Sequence, residues 1–104
     1  MPRLAFTMHL KKGYEKEYEK RHDDIWPELS SKLKDTGISN YYIYLDPKTL
    51  TLFATLDVTD ESKLEDLPNQ EIVKKWWSYM ADIMDTYPDN SPIVNDLNQV
   101  FLLP

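Results

Sequence analysis

From Arg3 to Leu10 the apolar residues Leu4, Phe6, Met8 and Leu10 alternate with Ala5, Thr7 and His9, the period-two pattern of a strand with one buried face. Lys11, Lys12 and Gly13 break it. Tyr14, Tyr18 and His22 then fall at steps of four, with Glu15, Lys16, Glu17, Glu19 and Lys20 around the other side, as a short amphipathic helix requires. That helix stops near Asp23. A second helical piece begins at Pro27, an acceptable first-turn residue, carries Leu29 and Leu33 inward, and ends at Gly37. Tyr41 to Leu45, rich in Tyr and Ile, reads as a strand closed by the turn Asp46, Pro47 and Lys48. Leu50, Leu52, Ala54, Leu56 and Val58 alternate with Thr51, Phe53, Thr55 and Asp57, so a hairpin partner follows at once. Asp60, Glu61 and Ser62 open a brief helical turn that Pro68 ends. From Gln70 to Met84, Ile72, Val73, Trp76, Trp77, Met80, Ile83 and Met84 recur at steps of three and four, the clearest helix pattern in the chain. A turn-rich stretch from Tyr87 to Pro92 follows, and Val100 to Leu103 reads as a closing strand.

The resulting order, strand, helix, strand, strand, helix, strand, predicts an α+β protein with the ferredoxin-like βαββαβ plan, two helices covering one face of an antiparallel sheet. The strands offer large side chains on both alternations, so the second face is apolar too, and nothing else in 104 residues can cover it. A second copy could. The expectation is a homodimer whose sheets pack face to face, a dimeric α+β barrel with residues 1–104 as its single domain.

Composition narrows the function classes. With 18 acidic against 12 basic residues and a net charge of -6, the chain lacks the electrostatic footprint of a nucleic-acid binder or of a protein for anionic membranes. It has no cysteine, which excludes disulfides and thiolate chemistry and fits a reducing compartment. Neither a leader-like opening nor an apolar run of membrane-spanning length stands out, so a soluble cytoplasmic protein is expected. There is no HExxH, no Cys/His cluster and no glycine-rich phosphate loop, and the two glycines, Gly13 and Gly37, leave no room for a nucleotide cradle. No metal site is expected.

Candidate chemistry centres on YEKRHDDIWPEL, Tyr18 to Leu29. Side chains four apart stand side by side on a helix, so Tyr18 adjoins His22, the only residue type whose ordinary pKa lies near neutrality. A structural reading competes: a histidine at a helix C-terminus, held charged by the helix dipole. His9, on a strand away from any partner spacing, reads as structural or solvent-facing. Trp76 and Trp77 point about 100° apart on a helix, so either one lines a cavity, or one is core and the other interface. Alternation sends Tyr42 and Tyr44 to one sheet face and Tyr41 to the other, toward the helices or a pocket. Apolar rings with a few polar tips are what a neutral sugar needs. Asp23, Asp24 and Asp89 adjoin these residues and either orient them or cap helices and loops.

These segments, together with NYYIYLD from Asn40, KWWSYM from Lys75, PDNSP from Pro88 and the closing VFLLP, resemble the L-rhamnose mutarotase family, small cytoplasmic dimeric α+β barrels. The similarity runs in one register from the first strand to the C-terminus, strongest in the four central motifs and weakest between Thr59 and Asn69. It implies that His22 is the proton donor and that Tyr18, Tyr41, Trp76 and Trp77 bind the sugar. It also implies anomer exchange by ring opening and closure, with no cofactor and with L-rhamnose as the small-molecule partner. The group that takes the C1 hydroxyl proton stays open between water and His22 itself. Two other readings remain at this level: a cofactor-free or haem-degrading monooxygenase on the same architecture, and a non-catalytic sugar-binding dimer.

Overall fold

A computed structural model describes residues 3–104. Strand β1 (Arg3–His9) leads through helices α1 (Glu15–Asp23) and α2 (Pro27–Asp35) to the hairpin β2 (Ile38–Asp46) and β3 (Thr51–Val58). A 3₁₀ segment (Glu61–Asn69), helix α3 (Glu71–Met80) and the two-residue strand β4 (Asn95–Asp96) complete the chain. The antiparallel sheet has the order β2-β3-β1-β4, which is the split βαβ arrangement: β3 lies between the two strands that the first helical layer connects.

Local chemistry accounts for most element ends. Pro27 opens α2 and holds Trp26 extended at ψ 128, as a residue before proline must be. Gly37 closes α2 at φ 93, a left-handed conformation that favours glycine, and a Cβ there would press on the Thr59 hydroxyl. The 3₁₀ segment starts where the Asp60 carboxylate accepts from the Ser62 backbone N–H at 3.0 Å, and Pro68 falls in its last turn.

The pleat sorts the sheet into two unlike faces. Leu10, Leu52, Ala54 and Val58 turn toward the helices and are sealed from solvent, joined by Leu29, Ile72, Val73, Trp76, Met80 and Ile83. Full burial of one such aliphatic chain contributes roughly 1.5–3 kcal/mol, so the fold rests on this side. The other face carries Arg3, Ala5, Thr7 and His9 opposite Asp57, Thr55, Phe53 and Thr51, flanked by Tyr42 and Tyr44. No helix of the described residues covers it, and Tyr42, Tyr44 and Phe53 are exposed.

Three sequence expectations change. The closing strand is not Val100–Leu103: the edge place beside β1 is taken by Asn95 and Asp96, opposite Thr7 and Phe6, and Leu97 N–H donates to the Ala5 carbonyl. Val100 to Leu103 therefore have strand-forming side chains but, among the described residues, no strand to pair with. Helix α3 ends at Met80, not Met84. Ile83 and Met84 are core residues carried by a turn, where Lys11 N–H donates to the Ile83 carbonyl and Met84 bridges Leu10. Strand β2 starts at Ile38, three residues early, because a bulge between Ser39 and Tyr42 breaks the alternation on which its start was read.

Candidate active site

Helix α1 lays Tyr18 and His22 against the core. The buried Tyr18 ring stacks on the His22 imidazole, centroids 4.3 Å apart, as their four-residue spacing predicts. The His22 ring also meets the edge of Trp76 on α3, 5.5 Å between centroids at 86°. The imidazole thus sits between a phenol and an indole, half-buried.

Its tautomer follows from one contact. His22 Nδ1 lies 3.0 Å from the Tyr18 carbonyl oxygen, which can only accept, so the neutral ring carries its proton on Nδ1 and, among the described residues, leaves the Nε2 lone pair free. Burial lowers the pKa of His22, outweighing the Tyr18 carbonyl and the nearby Asp23, which both favour the charged ring. The structural alternative, a histidine held charged at a helix end, loses to desolvation. At neutral pH this is a neutral imidazole with one open nitrogen.

Tyr41 approaches from the sheet. It projects to the helix side and meets the Phe6 ring edge-on at 6.3 Å and 71°. The residue as a whole is 38% exposed, while its hydroxyl end is desolvated, which pushes its pKa up to about 12. The Tyr18 hydroxyl is raised further, first by burial and then by the proximity of Tyr41. Both phenols are therefore neutral hydroxyls at pH 7, able to donate and to accept.

Trp76 is core-facing. Trp77, one residue on, is half-buried and packs against the same apolar cluster without touching the His22 ring. The structure thus gathers Tyr18, His22 and Trp76 into direct contact, brings Tyr41 beside Tyr18, and leaves Trp77 at the margin.

Two neighbours, Tyr79 and Arg21, escaped the sequence reading of the site, and Trp26, four residues past His22, continues its face only loosely because Pro27 follows it. Trp26 meets Trp76 edge-on at 5.1 Å and stacks on Tyr79 at 5.4 Å, extending the aromatic wall. Arg21 clamps α1 to the end of α3: it donates to Glu17 at 2.7 Å, to Asp82 at 2.9 Å and to the Tyr79 carbonyl at 2.8 Å, with its guanidinium 4.3 Å from the Tyr79 ring centroid. Only the Glu17–Arg21 spacing was visible in sequence; the rest needs α3 in place. Of the acids beside the site, Asp23 acts on His22 through its charge alone, and Asp89 caps its own turn through the Ser91 N–H at 3.0 Å. His9 faces solvent, half-exposed, between the Thr49 carbonyl and Asp85. Among the described residues no group of three His, Asp or Glu side chains could hold a metal ion, and no helix is long and apolar enough to cross a membrane.

A ferredoxin-like α+β sheet whose helix side presents a histidine with one open nitrogen, neutral phenols and indole walls has the equipment of an acid/base enzyme for a small polar molecule. Comparison with known proteins is specific. A family model described as L-rhamnose mutarotase matches residues 3–103, and the chain belongs to that family. The L-rhamnose mutarotase of Bacteroides thetaiotaomicron is 55% identical, with 97% of each chain covered. That of Formosa agariphila is 52% identical over 99% of each. The crystal structure of the Formosa agariphila L-rhamnose mutarotase superposes with a TM-score of 0.94 over 100% of both chains at 51% identity. A dimeric ferredoxin-like protein from an uncultured marine organism shares the fold alone, with a TM-score of 0.58, 13% identity and 97% and 96% of the two chains covered.

Proposed function

We propose that the protein is an isomerase that interconverts the α and β anomers of L-rhamnose, with His22 moving the proton. Family membership carries the reaction class, and the contact between His22 Nδ1 and the Tyr18 carbonyl supports the residue. In this reading the free Nε2 takes the proton of the C1 hydroxyl as the C1–O5 bond opens. The imidazolium so formed donates that proton to O5, making His22 the proton donor. The electron pair of the broken bond passes to O5 and C1 becomes a carbonyl. Rotation about C1–C2 presents the other carbonyl face, the O5 hydroxyl adds back through the same proton transfers in reverse, and nothing is consumed. Tyr18 and Tyr41 hold sugar hydroxyls, while Trp76 and Trp77 pack against the ring and its C6 methyl.

The pH dependence tests this assignment. Because His22 starts the cycle neutral and its pKa lies below the ordinary 6.5, exchange catalysed per enzyme should be level near pH 7 and above. It should fall as pH drops through the depressed pKa, with the protein still folded by circular dichroism. A rate that climbs instead on acidification would require a histidine that starts charged, and would sink the cycle as written.

The functional unit in this reading is a homodimer in the cytoplasm. The uncovered sheet face with Tyr42, Tyr44 and Phe53, and the apolar tail Val100–Leu103, exposed from 71 to 94%, supply the surface that a second copy would cover. An exposed apolar patch of that extent is rare in soluble monomers. The cysteine-free composition fits the reducing compartment.

A further inference from the structure

We propose that the Arg3–Asp57–Asn40 network, on the sheet face away from the helices, is a positioning device for Tyr41. It holds the bulge in β2 that turns this ring inward, beside Tyr18. The inference rests on the sugar reading of the site for its consequence in catalysis, though not for its geometry.

Parity along β2 requires the bulge. Ile38 lies opposite Val58, Ile43 opposite Ala54 and Leu45 opposite Leu52, all on the helix side. On an unbroken strand, residues five apart face opposite ways, so Ile38 and Ile43 cannot both reach the core without one extra residue between them. The pairing jumps from Ser39 with Asp57 to Tyr42 with Thr55, three residues against two. In the unbulged register Tyr41 would share a face with Ser39, away from Tyr18 and His22. The bulge puts it on the other side, where it meets Phe6.

The extra residue is Asn40, in the left-handed region at φ 49, a conformation asparagine tolerates better than most side chains. Its amide does not simply point to water. Asn40 Nδ2 donates to Asp57 Oδ2 at 3.0 Å, and Arg3 donates to the same carboxylate from Nε at 2.8 Å and Nη2 at 3.3 Å. Asp57 is 8% exposed although it stands on the uncovered face, and the hydrogen bonds from Arg3 and then Asn40 hold its carboxyl down to about 2, so it is charged throughout the neutral range. A buried carboxylate left without these donors would be costly. The network therefore favours the one register in which Asn40 reaches Asp57, and that register is the one that turns Tyr41 inward.

Nuclear Overhauser contacts between the Tyr41 and Phe6 rings, read together with the kinetics of L-rhamnose exchange, test this. In Asp57→Ala the contact should be lost, and KM should rise about tenfold while kcat stays within about twofold, as expected when one charge-assisted hydrogen bond that positions a binding group is removed. Asp57→Asn keeps an oxygen that can accept from Asn40 and should restore the ring contact and most of the KM. Asn40→Gly relieves the backbone and removes only the amide, so it guards against simple unfolding and should move both readouts in the same direction as Asp57→Ala. Added to Tyr41→Ala, Asp57→Ala should change KM little further, since the two act through one ring. An intact Tyr41–Phe6 contact in folded Asp57→Ala and Asn40→Gly, or full additivity with Tyr41→Ala, would overturn the proposal. A wild-type protein inert toward L-rhamnose would sink the sugar reading separately, and the ring contact would still decide where Tyr41 points.

Discussion

His22→Ala should slow anomer exchange of L-rhamnose by about two orders of magnitude or more, the range that a positioned acid or base contributes, while weakening sugar binding far less. The asymmetry follows from what the substitution leaves behind. Trp76, Trp26 and Tyr79 hold one another through their own ring contacts, and Tyr18 is buried in the core cluster, so the aromatic wall survives loss of the imidazole. What disappears is the one neutral imidazole of the site, whose free nitrogen takes and returns the proton. Isothermal titration with the sugar beside single-turnover exchange rates separates the two quantities. Equal loss of binding and rate would mean that His22 orients the sugar without moving its proton.

The second large effect belongs to the tail. In sedimentation at micromolar concentration the wild-type protein should report twice the chain mass, and Phe101→Asp should give monomer or aggregate. Phe101 is 76% exposed in the single chain, so the substitution removes nothing that the isolated fold depends on. Across a dimer interface the same ring would be buried, twice per assembly by symmetry. Loss of one buried Phe side chain costs about 3–5 kcal/mol, roughly two to four orders of magnitude in affinity, before the second copy and the cost of placing a carboxylate there are added. A folded, fully active wild-type monomer at those concentrations would contradict both the dimer and the role given to the uncovered face.

How far the sequence carries the fold depends on whether a pattern is local. The alternations from Leu4 to Leu10 and from Leu50 to Val58 gave β1 and β3 because each strand has one covered face and side chains obey the pleat. Pro27 and Gly37 marked α2 because proline and glycine act on their own backbone. The misread positions are those where a distant partner decides. Ile83 and Met84 continue a helical spacing, yet they are recruited by Lys11 and Leu10 after the helix has ended. Val100 to Leu103 look like a strand, but the β1 edge goes to the polar pair Asn95–Asp96, reached first as the chain returns from the Tyr87–Pro92 turn.

The site divides in the same way. Tyr18 and His22 were legible from a step of four on one helix, and the family resemblance joined Tyr41, Trp76 and Trp77 to them. Spacing could not say that Trp76 would meet the His22 ring while Trp77 lay to the side, since that depends on how α3 crosses α1. Trp26 continues the step of four from His22 only loosely, Tyr79 and Arg21 share no short-range pattern with it, and the three meet only in the folded chain. The bulge at Asn40 left a trace, Ile38 and Ile43 out of phase, but reading it requires knowing that both belong to one strand.

In the function proposed above, this chain moves a proton on L-rhamnose through its own side chains. Saturation-transfer NMR of L-rhamnose at equilibrium, with and without the protein and with a chelator present, measures it most directly. Saturating the α-anomer resonance should transfer to the β-anomer resonance much faster with protein than in buffer. Exchange at the buffer rate in the presence of folded protein would contradict the account.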